Sequence, residues 1–296
     1  MGITKGLFEK SGIIGKLFLL FAITILFTLI ALPVIKAITF SNPTDIVSLK
    51  FSQLILSIGA FVLPPLVLAF LISNHPSKFL YLNIKKIPWI DIIYVVLFMI
   101  VILPFINLLG ELNHQIIIPK IFSGLESWMK TSEEQATQFT EKLLNVHTLQ
   151  GLLFNVFLVA VLPAIGEELY FRGALQGVIN QWKGVRFSIW MTAIIFSTIH
   201  FQFYGFVPRM LLGAFFGYLL FWSENIWLPI VGHFINNVIA VVFYYLKFNG
   251  YKVPDIDSIG FGNTLWTGFA SGAVGIFFFF ILKHHFQLQV KKKLHT

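Results

Sequence analysis

Long apolar runs alternate with short polar segments along the chain, and this pattern predicts about eight membrane-spanning helices. Each run is close to the length of about 20 residues that a helix needs to cross a bilayer. The predicted spans are 13–35, 51–72, 92–110, 151–182, 187–203, 210–222, 226–245 and 264–282. We therefore expect an all-α fold, a polytopic bundle of helices that is integral to the membrane.

Composition supports this interpretation and narrows the possible partners. Hydrophobic residues make up 57% of the 296 residues and charged residues only 11%, against about one quarter charged residues in soluble domains. Cysteine is absent, which excludes disulfides and a cysteine nucleophile. The formal charge of +8 does not indicate nucleic-acid binding, because the basic residues flank apolar runs, where they meet anionic lipid headgroups.

Charge also predicts how the chain is oriented and divided. An even number of spans places both termini on one side, and the basic residues Lys85, Lys86, Lys183 and Arg186 and the tail at 291–293 favour the cytoplasm for that side. We expect a multi-pass protein of a plasma membrane. Residues 1–150 would hold the N-terminal spans, 151–247 a core of four spans, and 248–296 the last span and the basic tail. Within the first part, the polar segment 111–149 is either an external amphipathic helix or a solvated linker.

Ionisable residues inside apolar spans mark candidate chemistry, because burying a charge in the bilayer costs several kcal/mol. Glu167 and Glu168 lie in the middle of the fourth predicted span. Glu168 and Arg172 are four residues apart and share a helix face, which predicts an ion pair. Glu167 points about 100° away from Glu168 and needs a partner from another helix.

Histidines on later spans supply candidate partners. His200 follows the turn at Lys183 and Gly184 by as many residues as Glu167 precedes it, which predicts that both side chains lie at one depth and share a water molecule. His233 and Asn237 are four residues apart and share a face of the seventh span. Singly, such residues often only hydrogen-bond between helices, but four polar side chains on three helices favour catalysis.

The chemistry of these groups suits amide hydrolysis. A carboxylate beside a histidine can activate water as a general base, and a second histidine with a neutral amide can stabilise an oxyanion. No serine with an obvious base partner competes for the role of nucleophile.

Three motifs match a known family in their order along the chain. Glu167-Glu168-x-x-x-Arg172, Phe196-x-x-x-His200 and His233-x-x-x-Asn237 resemble the CPBP intramembrane proteases, which include CAAX prenyl endopeptidases and bacterial Abi-type, bacteriocin-processing and immunity proteins. The resemblance covers about residues 150–247. It implies that Glu167 and His200 activate water, that His233 and Asn237 bind the oxyanion, and that Glu168 and Arg172 support them. The resemblance also implies that 151–247 is the catalytic core, that the membrane is a bacterial plasma membrane, and that the substrate is a membrane-associated peptide or protein.

The resemblance leaves the cofactor open. This family has also been classed as metalloproteases, and Glu167, His200 and His233 would form a ligand set for a divalent metal such as zinc. Asn237 favours a metal-free reaction instead, since an amide is a poor zinc ligand and a good oxyanion donor. Two further functions use the same residues: proton-coupled transport, and a non-catalytic immunity role that retains the motifs.

Overall fold

The computed structural model describes residues 4–40, 45–82, 87–116, 118–254 and 256–294, without the side chains of 257 and 290–294. Over these ranges the chain is helical, with no strand. Lys85 and Lys86 lie outside the described residues, as do the side chains at 291–293. The helices are α1 (Ile13–Ile38), α2 (Ile46–Ile72), α3 (Pro76–Phe79), α4 (Trp89–His114), α5 (Ser123–Leu144), α6 (Leu149–Lys183), α7 (Val185–Thr198), α8 (Phe206–Ser223), α9 (Trp227–Phe248) and α10 (Leu265–Leu294).

The helices confirm the predicted membrane bundle. Within the described ranges, seven helices are long and apolar enough to cross a bilayer, namely α1, α2, α4, α6, α8, α9 and α10. α7 is also apolar but has only 14 residues, so the fifth predicted span, 187–203, was too long at its C-terminal end. The chain leaves the helix after Thr198 because Phe201 adopts a φ of 52°, which a continuing helix does not allow. The orientation of the termini and the three-part division stay predictions.

α6 carries the first site motif and is the longest candidate span, with 35 residues. Two stretches of it, Val156–Val161 and Glu168–Leu175, are π-helical. Gly184, with a φ of 78°, ends α6 and lets α7 begin at the next residue, because glycine tolerates the left-handed region. The hairpin predicted around Lys183 and Gly184 is thus present.

Proline in α4 is accommodated by a neighbouring helix. Pro104 lies inside α4, and the hydroxyl of Ser271 on α10 fills the gap in the backbone ladder beside it. This hydroxyl accepts from the Phe105 amide at 3.2 Å and donates to the Val101 carbonyl at 2.5 Å. Proline is tolerated in membrane helices when a neighbouring side chain satisfies the freed backbone groups in this way.

Two apolar clusters form the interior. One joins α1, α2 and α6 and includes Leu20 and Leu68, and the other joins α4, α8 and α10 and includes Val95 and Leu282. Arg172 lies between them, because its guanidinium contacts rings from both clusters. The polar site is therefore enclosed by packed apolar side chains.

The polar segment before α6 forms a helix of its own. α5 comprises 22 residues from Ser123 to Leu144, so this segment is a helix rather than a linker, and its external position stays a prediction. Its Trp128 ring packs on Phe201 and Phe203, with ring centroids 6.2 and 5.1 Å apart. α5 thus rests on the loop that directly follows His200.

Candidate active site

Arg172 is the buried anchor of the site. Neither Arg172 nor Glu168 has any exposed surface (0%), and the Arg172 Nη1 atom lies 2.9 Å from the Glu168 Oε1 atom, which confirms the predicted pair. Nη2 donates to the Gly213 carbonyl on α8 at 3.1 Å. The guanidinium also lies over the rings of Phe196 and Phe216, 4.5 and 5.5 Å from their centroids. These contacts hold a charge that would be costly alone in this interior.

His233 connects the two glutamates, a contact that the sequence analysis did not anticipate. Its Nδ1 atom lies 2.8 Å from Glu168 Oε1, and its Nε2 atom lies 3.8 Å from Glu167 Oε2. The ring stacks on Phe216, with centroids 5.6 Å apart and planes 13° from parallel. Glu168 therefore binds both Arg172 and His233, and it fixes the His233 ring so that Nε2 faces Glu167.

His200 lies in the turn after α7, where its ring is tied to its own helix. The Nδ1 atom is 2.7 Å from the Phe196 carbonyl. A carbonyl can only accept, so Nδ1 carries the proton and Nε2 of the neutral ring is an acceptor. The Phe196 ring meets both imidazoles edge-on, 4.9 Å from His200 and 6.2 Å from His233. In the described part of the chain, the imidazole within ion-pair distance of Glu167 belongs to His233, not His200.

Asn237 faces the π-helical part of α6. Its Nδ2 atom donates to the Val159 carbonyl at 3.1 Å, and its Oδ1 atom accepts from Asn236 at 3.2 Å. One N–H of the amide is used by Val159, which leaves the second as the donor available to a ligand. His233 and Asn237 lie one helical turn apart on α9, as the spacing predicted.

The π-helical stretches place these groups. Glu167 ends an α-helical stretch of α6 and Glu168 begins a π-helical one. The hydrogen bonds of a π-helix span one residue more than those of an α-helix, and the wider turn changes the direction of the side chains, so a simple 100° step does not give their positions. π-bulges in α-helices occur frequently at functional sites.

Two glycines of α8 let the polar residues of α6 approach. Arg172 and Gln176 donate to the carbonyls of Gly213 and Gly217, at 3.1 and 3.3 Å. A Cβ atom on Gly213 would lie 3.1 Å from Arg172 Nη2, and one on Gly217 would lie 2.8 Å from Gln176 Oε1. This pair was not predicted from the sequence, although two small residues four apart are a known signal of close helix packing.

The site leaves several buried polar atoms without a partner. These atoms, within the described residues, are Glu168 Oε2, Arg172 Nε and Gln176 Oε1. Buried polar atoms are nearly always hydrogen-bonded in native proteins, and exceptions are typical of strained or functional positions.

The fit of a metal ion can be tested on the donor atoms. Zinc sites in enzymes use three protein ligands around a single point. Throughout the described ranges, no three His, Cys, Asp or Glu side chains are arranged to hold a metal ion. Glu167, His200 and His233 therefore do not fit a metal in this arrangement.

The part of the chain that holds these residues resembles a known protein family. Residues 149–239 match the family model of the Rce1-like type II CAAX prenyl endopeptidases. This Rce1-like segment contains every predicted site residue, and the match confirms the resemblance found from the three motifs. The remaining helices, α1 to α5 and α10, lie outside it.

One curated relative matches a part of the chain. The uncharacterized protein YpbD of Bacillus subtilis (strain 168) is 26% identical over 89 residues, which are 29% of this chain and 43% of that protein. The chain thus spans less than half of the length of this relative. No solved structure matches the chain.

Proposed function

We propose that the protein is an intramembrane endopeptidase that hydrolyses a peptide bond of a membrane-associated substrate. The observation that carries this proposal is the buried chain of contacts from Arg172 through Glu168 and His233 to Glu167, inside the Rce1-like segment. These contacts hold the Glu167 carboxylate opposite the His233 imidazole in an apolar interior, where both groups are effective in acid–base chemistry.

In the proposed reaction, Glu167 takes a proton from a water molecule, and the oxygen attacks the peptide carbonyl carbon. The His200 Nε2 atom accepts a hydrogen bond from this water and orients it. The C–N bond then breaks as Glu167 passes the proton to the departing amine, so Glu167 acts first as base and then as acid. The products are a carboxylic acid and an amine.

The oxyanion formed on attack is stabilised by His233 and Asn237. When His233 is protonated, Nδ1 donates to Glu168 and Nε2 carries the hydrogen that faces the reacting groups. The two carboxylates, Glu167 and Glu168, then balance the two cations, Arg172 and His233. Preorganised donors of this kind are worth most where water is excluded.

The Rce1-like match supports a proposal for the substrate class. We propose a peptide of CAAX type, carried to the site by its prenyl group, whose apolar chain enters the bilayer beside the bundle. A role in processing other membrane-anchored peptides, including bacteriocins, uses the same chemistry.

The test is cleavage of a farnesylated CAAX peptide by the purified full chain in liposomes, followed by mass spectrometry. We expect release of the C-terminal tripeptide by the wild type, and loss of cleavage by about 10³-fold in Glu167→Gln. The matched control is Asp91→Asn, which removes a buried carboxylate elsewhere in the bundle. Wild-type cleavage by Glu167→Gln would refute the proposal.

Substrate choice and cofactor need two more measurements. Comparison of new protein termini in membranes from wild-type and Glu167→Ala cells would identify natural substrates. Metal analysis of the purified chain, together with cleavage in the presence of a chelator, separates the metal-free mechanism from a zinc-dependent one.

A further inference from the structure

A cavity of about 500 Å³ lies beside the turn between α6 and α7. Polar side chains from the end of α2, from α3 and from the last turns of α6 line it, among them Ser73, Lys78 and Gln181. Asn180 also lines this space and is itself exposed. The cavity, which we call the turn cavity, is therefore open to the surface of the bundle.

A smaller cavity of about 20 Å³ lies further along α6, beside Arg172 and Gln176. Tyr81, Gly177 and Asn180 line both cavities, so the two spaces meet at these residues. About 10–15 Å³ of such space is enough to hold one water molecule. This inner cavity thus has room for water and adjoins a space that is open to the surface.

The inner cavity is bordered by two buried side chains with unused polar atoms. Arg172 Nη1 and Nη2 are bonded to Glu168 and Gly213, but the Nε atom has no hydrogen-bond partner within the described residues. Gln176 donates through Nε2 to the Gly217 carbonyl, and its Oε1 atom likewise has no partner there. Arg172 is 0% and Gln176 6% exposed. A buried donor and a buried acceptor thus belong to the walls of a space that has the size of a water molecule.

α7 and α8 complete the walls of the inner cavity. Gly217 leaves room beside Gln176, because a Cβ atom there would lie 2.8 Å from Oε1. Ser188 on α7 lines the cavity, and its hydroxyl donates to the Val185 carbonyl at 2.8 Å, which leaves its oxygen free to accept. One turn further along α7, Thr192 Oγ1 is buried without a partner in the described part of the chain. A buried water molecule needs two to four polar partners, and these walls supply them.

We infer that the inner cavity binds a water molecule that bridges Arg172 Nε and Gln176 Oε1, and that this water enters from the turn cavity. The inference does not depend on the proposed function. A bridging water is nearly as favourable in enthalpy as a direct hydrogen bond. Charged side chains inside membranes commonly face water-filled cavities. The bound water would thus give Arg172 a partner for the N–H group that Glu168 and Gly213 leave over.

The arginine content of the chain allows a direct test. Arg172, Arg186 and Arg209 are its arginines, so the full chain labelled with ¹⁵N-arginine in nanodiscs gives three Nε–H signals by NMR. The variants Arg186→Lys and Arg209→Lys assign them. We expect cross-relaxation between water and the Arg172 Nε–H proton. A buried Arg172 signal without this transfer would show that the inner cavity is dry and would overturn the inference.

A glutamine pair tests whether the water forms the proposed bridge. Gln176→Met keeps the length of the side chain and removes the acceptor, so the transfer from water to Arg172 should fall at least about threefold. Gln181→Met, which changes an exposed glutamine on the same helix, is the matched control and should leave the transfer unchanged. Unchanged transfer in Gln176→Met would mean that the signal comes from another group, such as the Ser188 hydroxyl, and would refute the bridge.

The route of entry is tested where the two cavities meet. A Cβ atom on Gly177 would lie 3.5 Å from Phe79 Cζ, so Gly177→Ala fits, whereas the larger side chain of Gly177→Leu fills the junction. After transfer to D₂O, loss of the Arg172 Nε–H signal should be about tenfold slower in Gly177→Leu than in Gly177→Ala. Asn180→Leu narrows the same junction from an exposed position and replaces Gly177→Leu if that variant does not fold. Equal rates would refute entry from the turn cavity.

A crystal structure that resolves ordered water gives a second readout. We expect a water oxygen within about 3 Å of both Arg172 Nε and Gln176 Oε1. A direct contact between the two side chains, or an ion or lipid atom at this position, would overturn the inference. Neither measurement uses cleavage, so loss of the proposed peptidase activity and loss of this water site are separate results.

Discussion

Within the described residues, a buried carboxylate meets an imidazole in two clusters, one around Asp91 and one around Glu168, and the two are built differently. Asp91 on α4 is 2% exposed, and its Oδ1 atom accepts from His285 at 2.7 Å and from Gln289 at 2.9 Å, both on α10. Glu168 on α6 accepts from His233 and Arg172 on one oxygen. The Asp91 group joins two helices through regular α-helical turns, whereas the Glu168 group joins α6, α8 and α9 at a π-helical stretch.

The two clusters differ in the buried polar atoms that they leave without a hydrogen-bond partner. Asp91, His285 and Gln289 keep no buried polar atom without a partner in the described structure, while Glu168, Arg172 and Gln176 keep one each. Asp91 is also in the first turn of its helix, where a carboxylate complements the helix dipole. The Asp91 cluster is thus typical of a structural clamp, and the Glu168 cluster of a site that gives up stability for chemistry.

Removal of the Glu168 charge should have the largest effect on both stability and cleavage. Glu168→Gln leaves Arg172 as a buried cation without its counter-ion, at a cost of about 3–5 kcal/mol in the free energy of unfolding. Thermal unfolding in detergent would measure this loss, and cleavage should vanish with it. In Glu168→Gln/Arg172→Met the uncompensated charge is absent, so most of the stability should return without cleavage. Wild-type stability of Glu168→Gln would contradict the comparison.

Loss of the Asn237 amide should affect rate more than stability. We expect Asn237→Ala to slow cleavage about 10²- to 10³-fold, as when an oxyanion donor is removed, and to cost about 1 kcal/mol of stability for the bond to Val159. The control is Asn107→Ala, which removes an amide that donates to the carbonyls of Ile256 and Ile259. Equal cleavage rates for the two variants would show that Asn237 has no role in the reaction.

Gly213→Ala tests the close approach of α8 to Arg172. The added Cβ atom would lie 3.1 Å from Arg172 Nη2 and 3.3 Å from Phe196 Cδ1, which should cost about 1–3 kcal/mol by overpacking and slow cleavage by displacing the guanidinium. Gly110→Ala in α4, where a Cβ atom meets nothing within 4 Å, should leave both quantities near those of the wild type. Wild-type stability and cleavage in Gly213→Ala would show that α8 can move away from Arg172 without cost.

Substitution of Asp91 should have the smallest effect on the cleavage rate. Asp91→Asn weakens the bonds to His285 and Gln289, and we expect a loss of about 1–2 kcal/mol in stability with cleavage within about twofold of the wild type. Thermal unfolding and the peptide assay on one preparation measure both. A strong loss of cleavage would place Asp91 in the functional machinery.

The spans and the Glu168–Arg172 pair could be predicted because they depend on local spacing along one helix. The contact between His233 and Glu168 could not, since it depends on how α9 packs against a π-helical α6, and a regular 3.6-residue period misplaces side chains there. The end of α7 was missed because apolar residues, Ile199, Phe201 and Phe203, still recur after Thr198. The close packing at Gly213 and Gly217 could have been predicted, because two small residues four apart favour close helix packing in membranes.

The shortness of α7 has a consequence for the lipid around the protein. Its 14 residues span about 21 Å, about 9 Å less than a hydrocarbon core of about 30 Å. Lipids beside a short hydrophobic segment thin the bilayer locally. Headgroups and bulk water then come closer to His200 than in an undisturbed membrane. For the proposed hydrolysis, the thickness of the host membrane thereby becomes a variable, because it sets how far water must travel to reach the peptide bond.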